Sequence, residues 1–186
     1  ILSINDDKCV DTRNARLSHI IKTWTELSRY AHDQGVQNMI WEPMSISREL
    51  GETINATREI QDKFDAKSDA VNINLCLDVD HGDIMSPNPK DTDPYCWIKE
   101  FSDVTHCIHL KQSNTNKGGH WPFISEYNKD GRIKKSEFID CIKQYFTKHV
   151  ELFLELSFRE RNPVDTKAPE YIKRSVEYWL SEDVVV

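Results

Sequence analysis

The hydrophobic pattern of the chain switches between helical and strand-like periods. In residues 15–34, apolar side chains recur every three or four positions, which is typical of an amphipathic helix. Short apolar runs that close with a polar residue are typical of buried strands. The pattern predicts strands at 38–42, 71–78, 105–110 and 151–156, helices at 15–34, 45–64, 95–101, 136–146 and 169–180, and the tail of one more strand at 1–4.

Strands that alternate with helices indicate βα units and a parallel sheet. The chain has 186 residues, which is enough to bury a core and fits one domain over residues 1–186. The sequence contains no internal repeat and no low-complexity segment. We therefore expect an α/β fold.

Composition and charge argue against several classes of protein. The charged fraction of 30% and the apolar fraction of 38% are ordinary for a soluble domain. The net charge is −7 and basic residues do not cluster, so nucleic acid is not an expected partner. The sequence shows no run of about 18 apolar residues for a membrane span. The five widely spaced cysteines argue against a disulfide framework and favour a reducing, cytoplasmic location.

Each predicted strand is apolar up to its carboxyl end and then presents an acid or a histidine. The four residues at these positions are Glu42, Asp78, His109 and Glu155. Carboxyl ends of parallel strands face the functional site, and neighbouring strands lie about 4.8 Å apart. A single strand-end acid is more often a helix cap or a solvated loop residue. Four in phase predict one divalent ion, and this oxygen-rich set suits Mn²⁺, Mg²⁺, Co²⁺ or Zn²⁺.

The same residues carry a resemblance to a known family. The segments concerned are Glu42-Pro43, LCLDVDHG at 75–82, IHLKQ at 108–112 and FLEL at 153–156. They resemble the xylose-isomerase-like TIM-barrel family of sugar and sugar-phosphate isomerases and epimerases, over almost the whole chain. Within that family, WEPMSISRE at 41–49 and GGHWPFISEYNKDGRI at 118–133 most resemble the tetrulose-phosphate (erythrulose 1-phosphate) 3-epimerases.

The resemblance implies a fold of which this chain is one part. A (β/α)₈ TIM barrel has eight strands in about 250 residues, whereas the pattern predicts four complete strands here. We therefore expect the C-terminal portion of a TIM barrel, with the N-terminal strands absent from this chain. An isolated part of a barrel leaves strand edges open. It would need a partner copy, as in a homodimer, or would fold poorly.

The resemblance also implies roles for individual residues. The metal ligands would be Glu42, Asp78, His109 and Glu155. Glu42 and Glu155 would also form the acid/base pair. His81 and Lys111 would contact substrate oxygens, and the plainer alternative for His81 is a loop histidine that caps a turn.

Four further positions bear on the substrate. Some ketose 3-epimerases have an acid and an arginine where this chain has Arg48 and Thr115, and Arg48 would suit a phosphorylated substrate. His120 follows a glycine pair and could belong to a lid or a phosphate loop. Packing of that loop is the plainer alternative for His120. Arg159 could contact a phosphate or form a surface ion pair.

These roles together imply a divalent-metal-dependent epimerase of a small ketose or ketose phosphate. The carbon next to the carbonyl would be inverted by proton transfer through an enediolate. If the proton returned to the neighbouring carbon, the product would instead be that of an aldose–ketose isomerase. The sequence leaves both reactions open.

A rival interpretation comes from residues 126–137, whose spacing resembles an EF-hand calcium loop with Gly131 at the sharp turn. An EF-hand needs a helix before its loop, and Gly118, Gly119 and Pro122 interrupt that segment. We therefore predict a tight turn at Asp130-Gly131 and a helix N-cap at Ser136.

Overall fold

The computed structural model describes residues 3–66, 70–114, 117–158 and 165–181. Its helices are α1 (Ile4–Asp7), α2 (Val10–Asp33), α3 (Ile54–Asp65), α4 (Pro94–Phe101), α5 (Ser125–Asn128), α6 (Lys135–Tyr145) and α7 (Ala168–Leu180). Its strands are β1 (Asn38–Trp41), β2 (Asn72–Asp78), β3 (Thr105–Leu110), β4 (Gln112–Asn114), β5 (Lys117–Trp121) and β6 (Glu151–Leu154). Short 3₁₀ helices cover Ser47–Glu49, Pro89–Thr92 and Asp165–Lys167.

Four of these strands form one sheet in the order β1-β2-β3-β6. Strand β1 pairs with β2 in parallel, with Trp41 opposite Leu75. Strand β3 pairs with β6 in parallel, with His109 opposite Phe153. Strands β4 and β5 form a separate antiparallel pair. The expected α/β fold is therefore confirmed.

The chain divides into two compact units, and the first comprises residues 1–77 and 81–106. Its core contains Ile21, Leu50, Ile60, Phe64 and Ile73. Strand β2 is buried from its second residue to its last, as expected for a parallel strand covered on both faces. Burial of this apolar surface is the main source of stability for the unit.

The second unit comprises residues 78–80 and 107–186. Phe138 is fully buried, and Phe123 is almost so. Both rings pack edge-on against Trp179 of α7, with ring centroids 5.4 Å and 5.0 Å away. Helix α7 is therefore held to this unit by aromatic contacts. In the part of the chain that the structure describes, no helix is both long and apolar enough to cross a membrane.

Helix α3 begins nine residues later than the predicted start at position 45. Leu50 and Gly51 have φ angles of 61° and 80°, which a right-handed helix does not tolerate. The helix begins instead after Thr53, whose Oγ1 accepts a hydrogen bond from the backbone N–H of Ala56 at 3.1 Å. The first part of that helix prediction is therefore wrong.

Three smaller predictions also need correction. The pattern predicts no strand between residue 110 and the helix at 136, but the structure has β4 and β5 there. Helix α6 begins at Lys135, after Lys134, so the N-cap prediction for Ser136 is wrong. Ile4 begins α1 instead of ending a strand, and residues 1–2 lie outside the described ranges.

Gly82 lies in a loop of the first unit, where its backbone closely approaches Asp91. Its φ angle is 111°, and a Cβ there would lie 1.7 Å from the carbonyl oxygen of Asp91. Asp91 is fixed, because its carboxylate accepts hydrogen bonds from Ile54 N at 3.0 Å and Ser86 Oγ at 2.6 Å. We expect Gly82→Ala to lower the free energy of unfolding by about 3 kcal/mol or more in urea titrations.

Gly35 is the matched control, since its φ is 79° but nothing lies within 4 Å of the added Cβ. Gly35→Ala should cost only about 1 kcal/mol, the strain of the left-handed backbone alone. Equal losses for the two variants would show that the contact with Asp91 contributes nothing.

Candidate active site

Three strand ends of the second unit carry the predicted metal ligands. Asp78 is the last residue of β2, His109 lies near the end of β3, and Glu155 directly follows β6. The backbone ladder continues to the ends: Glu155 N donates to Leu110 O at 2.9 Å, and Val79 N donates to His109 O at 3.3 Å. Parallel pairing therefore brings residues that are far apart in sequence to one edge of the sheet.

Asp78, His109 and Glu155 each present one ligand atom, and these atoms lie within 4.8 Å of one another. Two ligands on opposite sides of one ion, each about 2.1 Å from it, are about 4.2 Å apart. Two carboxylates and an imidazole are the donor types that Mn²⁺, Mg²⁺, Co²⁺ and Zn²⁺ accept. The residues present therefore fit a divalent ion, with modest closing of the side chains.

Lys111 is buried among these ligands. Its Nζ lies 2.5 Å from Asp78 Oδ2, 3.1 Å from Glu155 Oε2 and 2.9 Å from His120 Nε2. Its side chain is 1% exposed, and a buried ammonium needs such partners to offset its lost hydration. An ammonium has three N–H donors, and three protein atoms are in reach of them. The contact with substrate that the resemblance implies for Lys111 stays a prediction, and in this structure its Nζ contacts the carboxylates of the candidate ligands Asp78 and Glu155.

The surroundings of Glu155 fix its charge. Burial by itself raises the pKa of Glu155, but the hydrogen bond with Asp78 and the charge and hydrogen bond of Lys111 lower that pKa to about 2. His120 contributes a smaller lowering. The Glu155 carboxylate is therefore ionised at neutral pH, as both a metal ligand and a proton acceptor must be.

His120 lies in β5 and joins this group. Its Nε2 is 3.6 Å from Glu155 Oε1, and its carbonyl oxygen accepts a hydrogen bond from Ser157 N at 3.0 Å. About two-fifths of its side chain is exposed, so a ligand at this edge of the sheet can reach it. The glycine pair before His120 was the signal in the sequence, and the strand was not foreseen.

Asp80 was not singled out from the sequence, although it is the second acid of LCLDVDHG. Its Oδ1 accepts hydrogen bonds from Ser113 Oγ at 2.6 Å and Arg132 Nη1 at 3.2 Å. Its Oδ2 accepts a hydrogen bond from Gly119 N at 3.1 Å. Asp80 therefore contacts both strands of the β4–β5 pair.

The first unit contains the remaining predicted residues that the structure describes. Glu42 follows β1, and its Oε1 lies 3.4 Å from His81 Nδ1. His81 Nδ1 is also 2.8 Å from Pro43 O, which makes Nδ1 the protonated nitrogen and orients the ring. Arg48 is half-buried in the 3₁₀ helix at Ser47–Glu49. Arg159 and Thr115 lie outside the described ranges.

The calcium-like segment has a structural explanation. Gln112 is fully buried, and its Nε2 donates to Asn128 Oδ1 at 3.0 Å and to Ile133 O at 2.9 Å. A Cβ at Gly131 would lie 2.2 Å from Gln112 Cδ, so a glycine is needed there. Before this segment the structure has β5, and the four-residue α5 overlaps its first residues, so the long helix that precedes an EF-hand loop is not found there. The backbone N–H of Gly131 donates to Asn128 O at 3.4 Å, which closes the predicted turn.

A comparison of the chain with models of known protein families gives no match. The D-erythrulose 1-phosphate 3-epimerase of Brucella abortus (strain 2308) is 40% identical over 169 residues, a match that covers 89% of this chain and 54% of that protein. The crystal structure of a candidate xylose isomerase from Rhodospirillum rubrum ATCC 11170 superimposes with a TM-score of 0.82 at 18% identity. That match covers 95% of this chain and 58% of the other.

The chain is similar to the epimerase over most of its own length, and it shares the fold of the xylose-isomerase-like structure. The resemblance found in the sequence is thereby confirmed, and so is a fold that corresponds to part of a TIM barrel. The chain spans about half the length of the curated relative that it matches, 54%. The strand ends that carry Asp78, His109 and Glu155 correspond to the edge at which TIM barrels hold their active sites.

Proposed function

We propose that this chain carries catalytic residues of a divalent-metal-dependent 3-epimerase that acts on a small ketose phosphate. The group formed by Asp78, His109, Glu155 and the buried Lys111 is the observation that carries the proposal. The 40% identity to a D-erythrulose 1-phosphate 3-epimerase supports the substrate class. A four-carbon ketose 1-phosphate is therefore the first substrate to test.

Glu42 is the proposed fourth ligand. Strand β1 pairs in parallel with β2, and Trp41 at its end lies opposite Leu75. Glu42 follows Trp41 directly, and β2 ends at Asp78 three residues after Leu75. Because TIM barrels hold their active sites at the carboxyl ends of their strands, the position of Glu42 directly after β1 supports its assignment as a ligand.

The proposed reaction is proton transfer at the carbon next to the carbonyl, C3 of the ketose. A bound Mn²⁺, Mg²⁺, Co²⁺ or Zn²⁺ would supply a Lewis acid that stabilises the charge of an enediolate. Glu155 and Glu42 form the acid/base pair, in which one carboxylate removes the C3 proton and the other returns a proton to the opposite face. The pKa of Glu155, about 2, keeps this carboxylate free to accept a proton.

The remaining predicted residues orient the substrate in this proposal. His81 is held by Pro43 O at 2.8 Å, so its ring presents Nε2 in a fixed direction towards a substrate oxygen. His120 offers a partly exposed imidazole beside Glu155. Arg48 and Arg159 supply positive charge for the phosphate group. Lys111 acts through the carboxylates it binds.

The test uses the full chain with Mn²⁺ and D-erythrulose 1-phosphate in deuterated water, followed by NMR spectroscopy. We expect NMR to show deuterium replacing the proton at C3. Because C3 is the only stereocentre, inversion gives the L enantiomer, and polarimetry should show the optical rotation falling towards zero. Removal of the metal with a chelator should stop exchange, and added Mn²⁺ should restore it. Deuterium at C2 with migration of the carbonyl to C3 would show an isomerase instead, because the phosphate ester on C1 prevents formation of an aldehyde there. Exchange that survives chelation would rule out the role of the metal.

A further inference from the structure

We infer that Asp80 is a positioning residue, which fixes the β4–β5 pair and thereby holds His120 beside Lys111 and Glu155. The inference rests on the proposed function only for the expected effect on reaction rate. All residues concerned lie in the second unit. Two sets of contacts support the inference. Asp80 accepts hydrogen bonds from both strands of the β4–β5 pair, and His120 of β5 lies beside Glu155.

The Asp80 carboxylate joins segments that are far apart in sequence. Ser113 belongs to β4, Gly119 to β5 and Arg132 to the loop before α6, and each donates a hydrogen bond to Asp80. The side chain of Asp80 is only 11% exposed, so water screens these bonds little. The same loop is also joined directly to β4, because Arg132 N donates to Ser113 O at 2.8 Å.

An ionised carboxylate is the group that this position requires. All three partners are donors, and both Asp80 oxygens are used as acceptors. An asparagine would place an NH₂ group against either Gly119 N–H or the Ser113 and Arg132 donors. It would also remove the negative charge beside the Arg132 guanidinium, whose side chain is only 16% exposed.

Gly119 links Asp80 to His120. Its backbone N–H donates to Asp80, and Gly119 and His120 are adjacent residues of β5. A Cβ at Gly119 would lie 2.6 Å from Cε2 of Trp121, so the strand packs closely against this indole. Trp121 stacks in turn on Tyr127, with ring centroids 5.2 Å apart. His120 is therefore fixed from both sides, with its Nε2 2.9 Å from Lys111 Nζ.

The first test measures amide hydrogen exchange of residues 117–121 by mass spectrometry, without substrate. We expect Asp80→Asn to speed this exchange by about tenfold or more, because an asparagine cannot accept from all three donors and its contacts with the β4–β5 pair weaken. Asp83→Asn is the matched control, since Asp83 accepts from Met85 N at 2.9 Å within its own loop. Ser113→Ala removes one of the three bonds and should give a smaller increase. If Asp80→Asn does not fold, the amide exchange of Ser113→Ala tests the inference in its place.

The second test is a double-mutant cycle on the rate of deuterium incorporation at C3 of D-erythrulose 1-phosphate. We expect Asp80→Asn to lower kcat about 10- to 100-fold, the cost of a misplaced catalytic group. If Asp80 acts through His120, the double variant Asp80→Asn/His120→Ala should be no slower than His120→Ala alone. A residue that only stabilises the fold would slow the double variant further.

Unchanged amide exchange at 117–121 in Asp80→Asn would overturn the inference. So would a double variant whose loss of rate equals the combined losses of Asp80→Asn and His120→Ala. An inactive wild-type chain would count against the proposed function and not against Asp80, because the amide exchange needs no reaction.

Discussion

Glu155→Gln is expected to slow deuterium incorporation at C3 of D-erythrulose 1-phosphate by about 10²–10⁴-fold. The amide has nearly the shape of the carboxylate but can neither accept the proton nor keep the negative charge beside Lys111 Nζ, 3.1 Å away. Glu155 also lies among the candidate ligands with Asp78 and His109, so under the proposed function the same change should weaken metal binding. NMR detection of the C3 proton measures the rate directly.

The control for this prediction is Glu151→Gln in the same segment of chain. Glu151 is mostly exposed and faces His149, with Oε1 2.7 Å from the imidazole Nε2. Its replacement should leave the rate within about twofold of wild type, since exposed ion pairs contribute little. Full exchange in Glu155→Gln, with metal bound and the fold intact by circular dichroism, would exclude Glu155 from the acid/base pair.

Lys111→Met is expected to lower the free energy of unfolding by about 3–5 kcal/mol in the presence of a chelator. Methionine replaces the length of the side chain but not its charge, so Asp78 loses a cation 2.5 Å away while remaining buried. Urea titration of wild type and variant measures the difference.

The loss should depend on pH in a defined direction. Lys111 helps to lower the pKa of Glu155 from 4.5 to about 2, so its stabilising effect is present above pH 4.5 and is lost as pH falls towards 2. Wild type and Lys111→Met should therefore differ most at neutral pH and converge in acid.

Lys173→Met is the control for charge removal at the surface. Lys173 is mostly exposed, and its Nζ lies 3.7 Å from Glu177 one helical turn away. The expected loss is about 0.5 kcal/mol or less. A loss for Lys111→Met no larger than this would show that the buried cation does not stabilise the strand ends.

Much of the candidate site could be predicted because its signals are local. Strand β3 was predicted at its observed bounds, and β2 within one residue of them, from apolar runs that end in Asp78 and His109. The placement of Lys111 could not be predicted in the same way. Its partners Asp78 and Glu155 lie 33 and 44 residues away in sequence, and only the parallel pairing brings them together.

The strands β4 and β5 were missed for a similar reason. Glycines and polar residues have low strand propensity, so the local pattern favours a loop. The ordering comes from distant groups: the Asp80 carboxylate bonds to Gly119 from 39 residues away. The predicted start of a helix at position 45 was wrong for another reason. Leu50 and Gly51 have positive φ angles, which end a helix but do not alter the hydrophobic periodicity of the sequence.

The contact between Gln112 and Gly131 limits how this site can be redesigned. The buried amide of Gln112 occupies the space that any side chain at position 131 would need. A library that varies position 131 alone should return only glycine, whereas one that also shortens residue 112 should recover larger residues. The two positions should therefore be varied together in any engineering of the segment between β3 and α6.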